Sequence, residues 1–250
     1  MKSKEITHAI FVGDVHLSDR HPQREAAFCK FMDWVCDSGA DHVFLMGDIF
    51  EFWYGYRYVM FSQVLKPVSK IALITDSGIS VTYLVGNHDF KPGYVFTDIL
   101  NVNVCTEPLR INIGNECVYV SHGDEINTAD RSYMLTRAIF RSKWAQFLFQ
   151  HFIPVSLAWH IGRALSDTSR KYTGKRQKRV PSEVFKSFCN RERSAGVTVV
   201  IHGHNHDPGE RVVQLESGTL RLIDTGDWLG ECGHYVEYKN GNFECKSWPF

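Results

Sequence analysis

Five times along this 250-residue chain a short apolar run, rich in β-branched residues, stops at a glycine or at a side chain suited to a metal ion. The runs are His8–Val12, Asp41–Met46, Val81–Val85, Cys117–Ser121 and Val197–Ile201. They end in Gly13-Asp14-Val15-His16, Gly47-Asp48, Gly86-Asn87-His88-Asp89, His122-Gly123-Asp124 and His202-Gly203-His204-Asn205-His206. A short continuous apolar run bounded by turn residues reads as a buried strand, and loops at strand ends are where a rigid scaffold presents chemistry. One such ending is no more than a capped turn or a His-rich loop. Five in one chain demand a fold that brings them to one place.

Between the first runs lie helical patterns. Pro22–Cys36 repeats Phe28, Phe31, Met32 and Val35 at helical spacing, and Val59–Asp76 does so with Phe61, Leu65, Val68 and Ala72. Strands alternating with helices imply βαβ units, a largely parallel layer and an α/β class. The tail reads as short strands at Thr219–Ile223, Tyr235–Tyr238 and Phe243–Lys246, joined by Gly-rich turns.

The endings share a chemistry. Glycine lets backbone crowd a site, while aspartate supplies a hard oxygen ligand and imidazole suits Mn, Fe or Zn. Two divalent cations about 3.5–4 Å apart need roughly this many ligands, with one carboxylate bridging them. Asp48 is the natural bridge, being the only ligand its strand end supplies. Asn87 can add a neutral oxygen, and His88 can act as an acid or an electrostatic clamp.

Residues 128–182 break the pattern and read as a helical cap inserted into a single domain of residues 1–250. Thr128–Phe149 looks helical, Pro154 breaks it, and a second helix runs towards Ser166. Phe147, Leu148 and Phe152, then Val155, Ala158 and Trp159, form apolar faces flanked by Arg137, Arg141, Lys143 and Arg163. From Arg131 to Arg193 there are 14 Lys or Arg against 3 Asp or Glu, although the whole chain is formally neutral. Such asymmetry implies an anionic partner: membrane lipid, nucleic acid or a phosphorylated substrate. Trp144–Gly162 lacks charged residues, but its Gln146, Gln150, His151, Pro154 and His160 argue against a membrane span. Seven cysteines without a C-x-x-C pair point to reduced thiols in a cytosolic protein, and no secretory leader is read at the N-terminus.

The ordered set Asp14-x-His16, Gly47-Asp48, Gly86-Asn87-His88-Asp89, His122-Gly-Asp and Gly203-His204-Asn205-His206 resembles the calcineurin-like metallophosphoesterase superfamily over nearly the whole chain outside the cap. The resemblance implies a two-sheet β-sandwich flanked by helices. It implies one ion on Asp14, His16, Asp48 and His206, a second on Asp48, Asn87, His122 and His204, and a supporting role for His202. The cofactor expected is a pair of divalent ions, Mn²⁺ foremost, with Fe or Zn as alternatives. The reaction expected is phosphoryl hydrolysis by a hydroxide activated between the ions, with His88 stabilising charge or protonating the leaving oxygen and Asp89 orienting it.

Within that superfamily, Asp14-Val-His16-Leu17, Gly47-Asp48-Ile-Phe50-Glu51-Phe-Trp53, and His122-Gly-Asp124 followed by Asp130, Tyr133, Arg137, Trp144 and Gln146 are similar to the UDP-2,3-diacylglucosamine hydrolase family. This chain carries His88 where that family more often has Arg, and Gly55-Tyr56-Arg57 where Gly-Asp-Asp is expected. The similarity implies cleavage of a lipid-linked nucleotide sugar to UMP and lipid X in lipid A synthesis, by a cytoplasmic enzyme peripheral to the inner membrane. Substrate contacts are then expected from Asn87, His88, Asp130, Tyr133, Arg137, Arg141, Arg163 and Ser166, with the cap's apolar faces receiving acyl chains. Two rivals are a generic phosphodiesterase or phosphatase on a nucleotide, nucleic acid or other phosphoester, and a metal-binding scaffold without turnover. Nucleic acid fits poorly because the basic segment has no stacking aromatic beyond Tyr172. A scaffold would lack a ligand, and none is missing.

Overall fold

A computed structural model describes residues 5–89, 91–162, 164 and 180–250. Its strands form two sheets. The first has the order β11-β10-β1-β2-β3-β4, from β1 (His8–Val12), β2 (His42–Leu45), β3 (Ser80–Leu84), β4 (Asn103–Cys105), β10 (Cys232–Lys239) and β11 (Asn242–Pro249). The second has the order β5-β6-β7-β9-β8, from β5 (Leu109–Ile113), β6 (Glu116–Val120), β7 (Val199–His202), β8 (Gly209–Leu215) and β9 (Gly218–Asp224). β1 through β4 pair in parallel, as do β6, β7 and β9, while β5, β8, β10 and β11 add antiparallel edges.

Strand alternation explains why the central runs are apolar throughout. From β1, Ala9 and Phe11 face the second sheet, where they join Phe44, Val118, Val120, Val199, Ile201 and Ile223. Ile10 and Val12 face the other way, onto Phe28, Phe31 and Met32 of helix α1 (Pro22–Asp37) and Val68 and Ile71 of helix α2 (Leu65–Asp76). Helix α5 (Ser182–Ser194) covers the outer face of the second sheet with Phe188 and Cys189. Strands buried on both faces need apolar residues at every position. The expected sandwich with flanking helices is the architecture found.

Three expectations shift. α2 begins at Leu65 rather than Val59, and its buried face is Pro67, Val68, Ile71 and Ile74, leaving Leu65 55% exposed. Phe61 still packs inward, but from the loop before the helix. The continuous helix read over 128–149 is two: α3 (Arg131–Arg141) and α4 (Lys143–Phe152). Ser142 separates them, its extended backbone leaving α3 and its side chain accepting the Ala145 N–H to cap α4. The tail strands are longer than read, and β4, β5 and β8 add pairing that the periodicity did not reveal.

After Pro154, residues 155–162 are helical. Of the cap expected at 128–182, residues 163 and 165–179 lie outside the described residues, and Arg163 and Ser166 with them. The described part rests on an aromatic loop. Tyr54 Oη donates to Gln146 O at 2.6 Å, Phe149 lies against Tyr54, and Trp159 against Phe61. The opposite faces are bare: no residue of α3 or α4 is buried. No described helix is long and apolar enough to cross a membrane.

Candidate metal centre

All five sequence-marked endings meet where β1, β2, β3, β6 and β7 finish. The loops are knitted by backbone bonds: Asp14 N–H to Gly47 O, His16 N–H to Asp48 O, and Gly203 N–H to His122 O, each 2.9–3.0 Å. Asp14, His16, Asp48, His204 and His206 all have φ between 49° and 68°. Non-glycine residues seldom adopt that region, and such strain gathers at functional sites. Two glycines allow the crowding. A Cβ on Gly86 would lie 2.1 Å from Asp48 Oδ1, and one on Gly203 2.3 Å from Asp14 Oδ2.

The side chains converge closely. His206 Nε2 is 3.1 Å from Asp14 Oδ1, and His16 Nε2 is 4.0 Å from both Asp14 Oδ1 and Asp48 Oδ2. His122 Nε2 is 3.6 Å from Asp48 Oδ2 and 3.1 Å from Asn87 Oδ1. The His204 ring stands 5.1 Å from that of His122, and its backbone N–H donates to Asp14 Oδ2 at 2.8 Å. Asp48 Oδ2 therefore faces imidazoles from both sides, the position expected of a bridge.

Electrostatics show what charge this cluster favours. Burial drives His16 down to about 3; burial, then the charge of His122, takes His204 to about 4, so both offer lone pairs at neutral pH. Burial also opposes charge on His122 and His206, yet they are raised to about 9 and about 11. Asp48 and Asp14 do this for His122, and hydrogen bonds to Asp14 and Asp227 do it for His206. Burial would raise the Asp14 carboxyl, but its contact with His206 holds it well below the usual range. The carboxylates thus favour positive charge among these imidazoles, and a divalent cation bound there would supply it in place of protons. Both ring nitrogens of His16 are buried without a hydrogen-bond partner among the described residues. Carboxylates, imidazoles and one amide oxygen, with an orphaned imidazole among them, fit divalent cations. Among the described residues, three overlapping groups have their ligand atoms within 4.8 Å: Asp14, His16 and His206; Asp14, Asp48 and His122; His16, Glu51 and His88.

The profile of the calcineurin-like phosphoesterases matches residues 7–208, a span that contains every ligand in this cluster. The chain belongs to the calcineurin-like phosphoesterase family.

Its curated relatives include the UDP-2,3-diacylglucosamine hydrolase of Vibrio cholerae N16961, 30% identical over 238 residues, or 93% of this chain and 95% of that protein. The enzyme of the same name from V. cholerae O395 is 29% identical, covering 97% and 98% of the two chains. That of Pseudomonas putida F1 is 28% identical, covering 88% and 90%. A solved phosphoesterase from E. coli overlaps loosely, at 14% identity and a TM-score of 0.47, over 94% of this chain and 89% of its own. This phosphoesterase is a hydrolase of phosphoesters or phosphoanhydrides that uses divalent metal ions.

The residues around the phosphoesterase cluster differ in part from expectation. Asp89 does not orient His88. It is fully buried and accepts N–H groups from Asp48, Ile49 and Gly86 at 2.7–3.0 Å and the hydroxyl of Tyr83, so it pins the Asp48 loop. Burial, and then the charge of Asp48, raises its carboxyl to about 6. His88 is instead held by Glu51, whose backbone O lies 2.9 Å from Nδ1, leaving Nε2 3.9 Å from Asp48 Oδ2.

Arg137 and Arg141, expected to contact substrate, are engaged within the protein. Arg137 Nε donates to Asp124 Oδ2 at 2.7 Å, and Arg141 reaches the same carboxylate at 3.4 Å while donating to Val85 O and Thr106 O. Tyr133 Oη adds a bond to Asp124 at 3.1 Å. Burial alone would raise Asp124, but His122 and these arginines hold it well below the usual range. Asp130 caps α3 by accepting the Tyr133 N–H at 3.0 Å. His202 is buried beside Asp224, 3.6 Å away, outside the ligand cluster.

The sequence pattern does not single out Glu51, Asp124 or Asp227, which the structure brings to the site. Asp227 had a signal: it follows β9 in Asp224-Thr-Gly226-Asp227, one more Gly-Asp after an apolar run.

Proposed function

We propose that this phosphoesterase hydrolyses the diphosphate of UDP-2,3-diacylglucosamine to UMP and the acylated sugar phosphate, with Mn²⁺ as the preferred ion. One ion would lie on Asp14, His16, Asp48 and His206, the other on Asp48, Asn87, His122 and His204. Bound there, the ions supply Lewis acidity and neutralise charge on the phosphoryl oxygens. Asp89 holds the loop that carries Asp48, so the shared carboxylate keeps one position. His88, fixed by Glu51 through Nδ1, presents Nε2 towards the cluster, where it can hydrogen-bond a phosphoryl oxygen or give a proton to the leaving oxygen. Asp130 and Tyr133 stand at the root of α3, the Tyr133 ring 6.0 Å from that of His204, within reach of a substrate on the ions. Arg137 and Arg141 act on substrate through Asp124 and the position of α3.

The observation that carries the lipid part of this reading is the bare apolar cap. Leu135, Ile139, Trp144, Leu148 and Phe152 are each more than half exposed, Trp144 at 77% and Phe152 at 72%. Exposed apolar residues on the helices that follow the metal-centre loop suit acyl chains and a bilayer surface. The relatives carry this substrate in their names. We place the protein, on this reading, in the cytoplasm at the anionic inner-membrane surface. With Arg137 and Arg141 engaged inside the protein, fewer cations remain for a nucleic acid backbone.

The test is to follow UMP release from UDP-2,3-diacylglucosamine and p-nitrophenol release from bis-p-nitrophenyl phosphate side by side, with and without Mn²⁺. Mn²⁺-dependent UMP release, abolished by Asp48→Ala, is expected. Turnover of the diester alone would make the protein a general phosphodiesterase. Turnover of neither would make it a metal-binding scaffold.

A further inference from the structure

The imidazoles of the centre are not backed alike. His122 turns Nδ1 to a neutral acceptor, the backbone O of Met46 at 2.9 Å. His206 turns Nδ1 to a carboxylate, Asp227 Oδ2 at 3.2 Å, while its Nε2 faces Asp14. His16 Nδ1 has Glu51 Oε2 4.0 Å away, beyond hydrogen-bond distance, so among these three imidazoles only His206 is backed by a carboxylate in contact. Asp227 is held in place for this contact. Its Oδ1 accepts the Leu229 N–H at 3.0 Å, and its backbone O accepts from His234 N and Nδ1 at 3.1 and 2.9 Å. The next residue, Trp228, donates its N–H to Asp14 O at 3.2 Å, tying the Asp227 loop to the strand end that carries Asp14 and His16.

We propose that Asp227 is a positioning residue that fixes His206 with its proton on Nδ1 and its lone pair on Nε2, and so makes the ion on Asp14, His16 and His206 the tighter of the pair. This rests on the two-ion reading above. A carboxylate behind a ligating imidazole fixes the tautomer and raises the basicity of the nitrogen that meets the metal, and its loss costs typically 10–100-fold in metal affinity. A backbone carbonyl polarises its imidazole less. The two ions therefore fill in order, the His206 ion first and the His122 ion second. An asparagine at 227 keeps the acceptor for Leu229 N–H but turns an amide donor towards His206 Nδ1. That favours the tautomer with hydrogen on Nε2, which cannot ligate.

The experiment is titration of the metal-stripped 250-residue chain with Mn²⁺ alone, followed by calorimetry and by the spin-coupled two-ion EPR signal. Wild type is expected to bind two ions in separable steps. Asp227→Asn should weaken the tighter step by roughly 10–100-fold and leave the other within about twofold. Asn87→Ala should do the reverse. Unchanged constants in Asp227→Asn, or an equal shift of both steps, would overturn the proposal. If Asp227→Asn melts far below wild type, Asp227→Glu decides instead: recovery of the tight step supports the proposal and no recovery refutes it. If wild type binds one ion only, the two-ion reading fails, and Asp227 keeps its role only if Asp227→Asn weakens that ion.

Discussion

Replacing Gly86 with alanine adds one methyl group against the carboxylate on which the centre turns. Its Cβ would lie 2.1 Å from Asp48 Oδ1, 2.5 Å from Asp48 N and 2.9 Å from Asp89 Oδ1. Ordinary contacts need about 1 Å more, and the surrounding backbone is close-packed, so the carboxylate must move. Movement breaks the 2.8 Å bond that Asp48 Oδ1 accepts from His88 N–H. A misplacement of about 1 Å costs about 10²-fold in rate, and overpacking of this kind costs about 1–3 kcal/mol in stability. For a chain of this size that is a fall in Tm of roughly 3–10 °C. Gly86→Ala should therefore lower kcat/KM about 100-fold and weaken Mn²⁺ binding while the protein remains folded at 25 °C. Gly230→Ala, where an added Cβ meets nothing within 4 Å, is the control and should match wild type. If Gly86→Ala retains kcat/KM within about threefold and binds Mn²⁺ normally, the strand endings do not position Asp48 as described.

Arg137→Ala removes the closest partner of a fully buried carboxylate, and breaking such a pair costs about 3 kcal/mol. Thermal melts should show it, and the double variant Asp124→Asn/Arg137→Ala should recover more than half; no recovery would mean that Arg137 acts through packing alone. Trp144→Ala/Phe152→Ala should raise KM for UDP-2,3-diacylglucosamine at least tenfold and leave bis-p-nitrophenyl phosphate turnover unchanged, whereas equal effects on both would remove the cap from lipid recognition. His42, stacked on Phe44 and bonded to Thr82, is lowered by burial from 6.5 to about 4. The unfolded chain binds its proton more readily than the folded one, so this stabilisation is present above pH 6.5 and is lost as pH falls towards 4. Denaturant melts of His42→Asn should be flatter than wild type across that window, and parallel curves would refute the assignment.

The ligand cluster was legible because each ligand sits within a few residues of the apolar run that delivers it. Gly47-Asp48 and His204-Asn-His206 announce both a strand end and a donor, and parallel strands in adjacent sheets carry those ends to the same edge. Asp227 obeys the same rule, but periodicity marks β9 only as a short tail strand and does not reveal it as a neighbour of β7, so its Gly-Asp ending carries no sign of the site. The partners of Arg137 and Arg141 could not be read at all. Nothing local to α3 announces that its arginines reach Asp124 across the site. Edge strands such as β8, exposed along most of its length, show no burial pattern for periodicity to find. The cap faces divide in a way that composition does not foresee: Phe149, Val155 and Trp159 pack inward against the main core, while Trp144 and Phe152 are left bare.

Anomalous diffraction at the manganese edge, from crystals of the full chain soaked in Mn²⁺, addresses the shared carboxylate directly. Two peaks about 3.5–4 Å apart are predicted astride Asp48, one beside Asp14 and His206 and the other beside Asn87 and His122. A map with no peak within bonding distance of Asp48 would contradict it.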